Sequence, residues 1–265
     1  MSSRQQEGSG PARPAFDYSA IPEGYYDAIA REGNPVRRLW HLSKFERVID
    51  ALPVEPGQSL LDIGCFAGTF LSMLDGNVFT RQVGVDILPA QVDYANRVHG
   101  RDFRRFQHIV SLKDLGRVEG TFSCVTLIEV IEHLDPVEIG VVLAHAARLL
   151  EPGGRLVITT PNYSSAWPII ELFINAFSDL SYREQHITKF YYANMESKIE
   201  SISPGFLKQF TLERKTTTHL VSPFLAAVSF RGARALSRMV PPRLWRVPVG
   251  SLILSVFRRT DVCAD

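Results

Sequence analysis

Short apolar runs alternate with helix-patterned segments from residue 59 to residue 161, and this alternation restricts the fold more than any single motif does. "SLLDIGC" (59–65) follows the turn cluster "PVEPGQ" and predicts a buried strand. "RQVGVDI" (81–87), "FQHIV" (106–110), "FSCVTLIEVI" (122–131) and "RLVITTP" (155–161) predict four more. Between them, "FLSMLDG" continues as a helix, and "PAQVDYANRVHG" is a helix with Pro89 near its first turn and Gly100 as its stop. "DPVEIGVVLAHAARLLEPGG" begins with Asp135 as N-cap, Pro136 at N1 and Glu138 at N3, a capping box, and stops at Pro152-Gly153-Gly154. The fourth run is continuously apolar, as a central parallel strand covered on both faces must be. The order predicts an α/β fold built on an open, doubly wound, mostly parallel sheet. "FTLERKTTTHL" and "SLILSVFRR" add two late strands, and residues 24–51 carry helical spacing, clearest in "RRLWHLSKFERVIDAL".

With 265 residues, 45% hydrophobic and 22% charged, the chain suits one large domain with an elaboration. A formal net charge of +1 calls for neither a nucleic acid nor an acidic partner. Cys65, Cys124 and Cys263 are too few and scattered for a disulfide framework or zinc site, which points to a reducing cytoplasm. Residues 1–20 are polar and have no apolar h-region, so they read as a disordered tail. The balanced total hides one asymmetry: no acidic residue lies between Glu213 and Asp261, where nine arginines and lysines fall. Within that segment, residues 222–250 open with Phe224, Leu225, Val228 and Phe230. Arg231, Arg234 and Arg238 follow along one helical face, and Trp245 sits between Arg243 and Arg246 beyond Pro241-Pro242. The pattern fits a helix in the interface of an anionic membrane, or a lid packed on the sheet with its arginines in water.

"LLDIGCFAGTFL" (60–71) ends the first strand where doubly wound sheets bind their ligands. Gly64 and Gly68 leave the backbone bare there. The dinucleotide fingerprint is missing, since Phe66 holds the middle glycine's place and no third glycine follows, which counts against an NAD-dependent oxidoreductase. Asp86 closes the second strand, where a carboxylate accepts hydrogen bonds from a ribose diol. With "VGVDI", "FSCVTLIEVIEHL" and "LLEPGGRLVITTPN" in order, the chain resembles the class I S-adenosylmethionine-dependent methyltransferases over residues 55–165, and more loosely to its end. The resemblance implies a seven-stranded sheet with its last strand antiparallel, Asp62, Gly64 and Gly68 along the methionine end of the cofactor, Phe66 as a further cofactor contact, Asp86 on the ribose and Ile87 on the adenine. Ser111-Leu112 stand where many relatives carry an acidic residue for the adenine amine.

"EVIEH" sets Glu129, Glu132 and His133 at i, i+3 and i+4 after the fourth strand, so that one helical turn would bring all three to the crevice. Two carboxylates and an imidazole suit Mg²⁺, Mn²⁺ or a similar divalent ion better than structural zinc. The pentad resembles that of ubiquinone-biosynthesis O-methyltransferases and small-RNA 2′-O-methyltransferases. It implies a metal held by Glu129, Glu132, His133 and a later histidine, for which His186 is the match, beside an acceptor hydroxyl. Without metal, His133 or His186 is the candidate general base, and Glu129 also reads as a cofactor contact. The resemblance divides the chain into a tail (1–20), an N-terminal helical lid (21–53), an S-adenosylmethionine-binding core (54–221), an amphipathic basic insertion (222–250), and a final strand with its tail (251–265). Tyr25, Tyr26, Trp40, His41 and Lys44 lie in the lid, and residues 163–200 are the candidate wall of the substrate pocket. The expectation is a cytoplasmic O-methyltransferase, peripheral to the membrane on the interface reading, acting on a small-molecule, sugar or lipid-linked acceptor. The alternative is a non-catalytic methyltransferase-like scaffold.

Overall fold

The computed structural model describes residues 21–168, 186–219, 225–239 and 248–260. A seven-stranded sheet runs in the order β3-β2-β1-β4-β5-β7-β6. The strands are β1 (Gln58–Ile63), β2 (Phe79–Asp86), β3 (Arg104–His108), β4 (Phe122–Ile128), β5 (Leu150–Pro161), β6 (Phe210–Thr218) and β7 (Leu252–Arg259). β1 to β5 are parallel, while β7 inserts antiparallel between β5 and β6, as the resemblance implied for the last strand. The order reverses between β1 and β4, which opens a crevice beyond their carboxyl ends.

Successive strand residues point to opposite faces. Leu60 and Cys124 join Phe45, Phe70 and Val92 in one apolar core, while Leu61 and Val125 join Ile139, Leu143 and Ile199 in another. Two-sided burial is the physical reason for the unbroken apolar run of β4.

The helices are α1 (Tyr25–Glu32), α2 (Pro35–Ile49), α3 (Thr69–Ser72), α4 (Pro89–His99), α5 (Pro136–Leu149), α6 (Met195–Ile202), α7 (Phe206–Gln209) and α8 (Phe230–Met239). Local chemistry explains most of their ends. Asp135 and Glu138 form the expected capping box on α5. The lid segment breaks in two because Gly33 ends α1, Asn34 caps the Val36 amide, and Pro35 can only begin a new helix. The helix after the glycine loop stops at Ser72, well short of Gly76. Pro152-Gly153-Gly154 lie inside β5 and do not end a helix; α5 has already ended at Leu149, and Gly153, at φ +74°, accommodates the irregular start of the β4–β5 pairing.

The described helix of the insertion, α8, packs on α2. Ala233 and Ala226 bury against Leu39, with Phe230 alongside. Arg234 pairs with Glu46 at 2.5 Å, and the Arg47 guanidinium donates to the carbonyl of Ser237. Arg234 is therefore engaged by α2, so the expected free arginine face is reduced. Residues 1–20, Phe224, Pro241, Pro242, Arg243, Trp245, Arg246 and the stretch 169–185 of the candidate pocket wall lie outside the described residues.

Candidate functional site

Four elements meet at the crevice: the loop after β1, the end of β2, the turn after β4, and the lid helix α2. In the first loop, Gly64 and Gly68 take left-handed backbone, at φ +81° and +76°. A Cβ on Gly64 would stand 2.5 Å from Val130, and one on Gly68 would stand 2.6 Å from the Phe106 ring. Both glycines are thus demanded by packing against the protein itself, a reason the sequence alone does not offer. Between them Phe66 is also left-handed, at φ +48°, and its amide donates to Asp86 at 2.8 Å.

Asp86 accepts a second amide, from Leu88 at 2.9 Å, so its carboxylate ties the glycine loop to the end of β2. Burial pushes its pKa up against these two hydrogen bonds. Ile87 follows with 49% of its surface exposed, an apolar platform beside that carboxylate. Asp62 lies deeper: it is buried, accepts the Thr126 hydroxyl at 2.6 Å, and has its pKa raised to about 7 by burial and then by the charge of Asp86.

The E-x-x-E-H segment is split by one backbone angle. Glu129 sits at φ +53°, a left-handed conformation that costs a non-glycine residue on the order of 1 kcal/mol or more. The turn that follows, Ile131–His133, is a single tight 3-10 turn and not an α-helical one. As a result Glu132 and His133 go one way and Glu129 another. The ligating atoms of Glu132, His133 and His186 all lie within 4.8 Å of one another, and Glu129 is not in that group. His186 is brought in by backbone: the amides of Ile187 and Thr188 both donate to the carbonyl of Glu132, at 2.8 and 3.0 Å. The Tyr163 hydroxyl then engages His186 Nδ1 at 2.9 Å.

Glu132 is buried, and its Oε2 has no hydrogen-bond partner among the described residues. Burial, and then the charge of Glu129, raises its pKa well above the usual carboxylate range. Burial, followed by neighbouring His133, lowers the pKa of His186 to about 3, which keeps the ring neutral. One carboxylate with an unsatisfied oxygen and two imidazoles form a donor set that fits a divalent cation.

Glu129 instead pairs with Lys44, reaching down from α2. Against burial, the ammonium holds the Glu129 pKa down at about 2. His41, one turn before Lys44, is buried with its pKa lowered to about 3 by burial and then by Lys44. His219, also left-handed at φ +62°, donates from Nε2 to the Trp40 carbonyl at 2.7 Å, with the Ser43 hydroxyl 3.2 Å from the same nitrogen. The three non-glycine residues with positive φ among those described, Phe66, Glu129 and His219, therefore all lie around this crevice. An aromatic wall continues from the lid to the histidines: Trp40 to Trp167 at 5.6 Å between centroids, and Trp167 to His186 at 6.0 Å. Tyr163 and His219 carry no sequence signal that separates them from other polar residues at strand ends. Lys44 did carry one, the i, i+3 spacing to His41 on one face of α2.

A family model described as a methyltransferase domain matches residues 37–202. A ubiquinone biosynthesis O-methyltransferase from Xanthomonas oryzae pv. oryzae is 35% identical over 181 residues, covering 63% of this chain and 69% of that protein. An uncharacterized 37.1 kDa protein in transposon TN4556 of Streptomyces fradiae is 34% identical over 128 residues, and the match spans only 34% of its length. Magnesium protoporphyrin IX methyltransferase from Synechocystis PCC 6803, solved with bound S-adenosylhomocysteine, shares the fold with a TM-score of 0.57 at 17% identity, covering 89% of this chain and 93% of that one. The chain belongs to the class I S-adenosylmethionine-dependent methyltransferase family. The fold and the order of its loops are those of that family, with S-adenosylmethionine as the cofactor.

Proposed function

We propose that this chain transfers a methyl group from S-adenosylmethionine to a hydroxyl oxygen, with Glu132, His133 and His186 holding a divalent cation such as Mg²⁺ beside that oxygen. One observation carries the reading: three ligating groups within 4.8 Å of one another, one of them a buried carboxylate oxygen without a partner among the described residues. The name of the Xanthomonas relative supports an oxygen acceptor. When bound, the cofactor supplies an activated methyl on a sulfonium, and the cation lowers the pKa of a coordinated hydroxyl. The chain's own residues then position and deprotonate. Asp86 and Ile87 hold the nucleoside end, and the glycine loop faces the methionine end. Trp40 and Trp167 form an apolar wall suited to the body of a small-molecule or lipid-linked acceptor. Without the cation, His133, with about a quarter of its side chain exposed, is the imidazole placed to accept the hydroxyl proton.

The test is transfer of labelled methyl to hydroxyl acceptors in an extract, with and without EDTA. Loss of turnover that Mg²⁺, Mn²⁺ or Co²⁺ restores supports the metal-assisted reading. Full turnover in EDTA, with His133→Ala inactive, replaces the cation by histidine as base. No transfer by enzyme that binds S-adenosylhomocysteine favours a scaffold.

The surface of the insertion supports a second element of this reading, contact with the cytoplasmic face of an anionic membrane. Val228 is 90% exposed, and Leu225 and Leu236 are exposed too, in a region without acidic residues and beside exposed Arg231. Apolar side chains beside an exposed arginine suit the headgroup boundary, where a cation contributes about 1 kcal/mol. No described helix is long and apolar enough to cross a membrane.

A further inference from the structure

Lys189 places a positive charge at the rim of the histidine chamber, and the proposed chemistry does not use it. Residues 186–191 run extended beside the end of β5. They are tied there by the parallel Asn162↔Phe190 bridge and by the Tyr163 amide, which donates to the carbonyl of Phe190 at 3.0 Å. Their side chains alternate: His186, Thr188 and Phe190 are buried, while Ile187, Lys189 and Tyr191 are exposed. The segment thus gives His186 to the chamber and leaves Lys189 at its edge.

An exposed lysine ordinarily extends into water, where its rotamers stay free. Lys189 instead lies back, its ammonium 5.1 Å from the centroid of the Tyr163 ring. That ring carries the hydroxyl engaged with His186 Nδ1, so a single ring separates the ammonium from the ligating imidazole. Its charge is felt there: after burial and His133, and against Glu129, Lys189 also lowers the His186 pKa. Three lysines of neighbouring elements are engaged. Lys44 pairs with Glu129, Lys215 pairs with Glu196 at 2.7 Å, and Lys198 donates to the carbonyl of Lys189 at 2.7 Å. Lys189 has no carboxylate partner among the described residues.

The charge balance of the chamber gives this cation a meaning. Glu132 is the one carboxylate in the proposed ligand set, because Glu129 is paired with Lys44, and the two imidazoles add no negative charge. A divalent cation there, with the cofactor's sulfonium in the same crevice, already leaves the chamber positive. Repulsion between like charges strengthens as water is excluded. A further ammonium at the rim is favourable only when the acceptor brings an anion of its own.

We infer that Lys189 binds a carboxylate or phosphate monoester of the acceptor, so that the substrate is a hydroxylated acid, with its hydroxyl at Glu132, His133 and His186 and its acid group at Lys189. The inference rests on the proposed transfer to a hydroxyl and names the substrate class within it. Lys189 is a specificity residue: its ammonium donates charge-assisted hydrogen bonds to the acid oxygens and draws anions to the mouth from solution. The acid group is not consumed. The hydroxyl oxygen forms the new bond to carbon, the carbon–sulfur bond breaks, the sulfonium becomes a neutral thioether and the hydroxyl proton is released. The product therefore keeps the anion.

The charge of the product tests this. Full-length enzyme, Mg²⁺ and S-adenosylmethionine with a labelled methyl are incubated with a small-molecule extract, and the labelled ether is passed over an anion exchanger at alkaline pH. It is expected to be retained; loss of retention after phosphatase assigns a phosphate monoester, and retention that persists assigns a carboxylate. Lys189→Gln is expected to need about tenfold or more of the retained extract fraction for half-maximal rate, with kcat within about twofold, and Lys189→Arg to restore most of the difference. In equilibrium dialysis, the purified labelled product is expected to bind wild type about tenfold more tightly than Lys189→Gln. Wild-type affinity of both variants for S-adenosylhomocysteine reports that they are folded. Labelled ether that passes through as a neutral or cationic species overturns the inference and leaves hydroxyl methylation intact. So does a Lys189→Gln variant with unchanged half-saturation and product binding, or one that also loses S-adenosylhomocysteine. Label on nitrogen, carbon or sulfur, or no transfer by enzyme that binds S-adenosylhomocysteine, removes the hydroxyl reading and the inference with it.

Discussion

The Tyr163 hydroxyl stands 2.9 Å from Nδ1 of His186, across 23 positions of sequence. That contact orients a histidine whose backbone is already tied to the carbonyl of Glu132 through Ile187 and Thr188. Partners behind a ligating histidine set its tautomer and ring plane, and their loss lowers metal affinity by about 10- to 100-fold. Tyr163→Phe should therefore raise the Mn²⁺ concentration needed to restore turnover to EDTA-treated enzyme by roughly that factor. An unchanged metal requirement in Tyr163→Phe would leave the orientation of His186 to the backbone alone.

Asp86 holds the amides of Phe66 and Leu88 and borders exposed Ile87. On the reading proposed above, Asp86→Ala removes the ribose acceptor as well as the brace on the glycine loop, at a loss on the order of 2 kcal/mol or some thirtyfold in affinity. It should weaken S-adenosylhomocysteine and 5′-methylthioadenosine together, because both carry the ribose. Calorimetric titration of the two ligands checks this. Unchanged affinity for both would take Asp86 out of the site.

Asp27 fastens the first lid helix. It accepts the Thr69 hydroxyl at 2.6 Å and the Tyr94 hydroxyl at 3.0 Å, and pairs with His99 at 2.6 Å. Burial pushes its pKa up, but His99, Thr69 and Tyr94 outweigh it, and the folded value lies below the ordinary 3.8. A depressed carboxylate pKa means stability that is fully present above the unfolded value and is lost as pH falls through the folded one. Asp27→Asn should cost about 1–3 kcal/mol near neutral pH, with the gap to wild type narrowing below about pH 4. Thermal melts between pH 7 and pH 3 check this. A constant gap would show that the charge of Asp27 contributes nothing.

Val228 and Arg231 are the exposed residues through which the insertion meets anionic lipid on the reading above. A Val228→Asp/Arg231→Glu variant should stop floating with phosphatidylserine-containing vesicles at low salt, while wild type floats. Arg234 is held by Glu46, so Arg234→Gln should cost about 1 kcal/mol of stability and affect flotation less. Wild type that stays at the bottom of the gradient would make the insertion a cover for α2 only.

The strand and helix order and the capping box at Asp135 and Glu138 were legible because each depends on residues within a few positions. The same holds for Asp86 at the close of β2. The i, i+3, i+4 spacing of Glu129, Glu132 and His133 misled for a local reason as well. It assumed a helical turn, and the left-handed backbone at Glu129 replaced that turn with a sharp reversal. For the insertion, "FRGARALSRM" did predict a helix, but its partner could not be read, since the Glu46 that meets Arg234 lies 188 positions away.

The sequence by itself determined the class of sheet, the place of the crevice and the residue types gathered around it. Hydrophobic periodicity and cap chemistry are local, and parallel strands joined by helices have few arrangements. Only the tertiary structure decided which charge meets which. Lys44 and Glu129 are 85 positions apart. Their pairing, the separation of Glu129 from the Glu132–His133–His186 group, and the docking of His186 through the carbonyl of Glu132 all follow from one φ angle and the packing of a helix across the sheet. Neither quantity is encoded in any short stretch of residues, because both are settled by the balance of desolvation, charge and shape once the whole chain has closed.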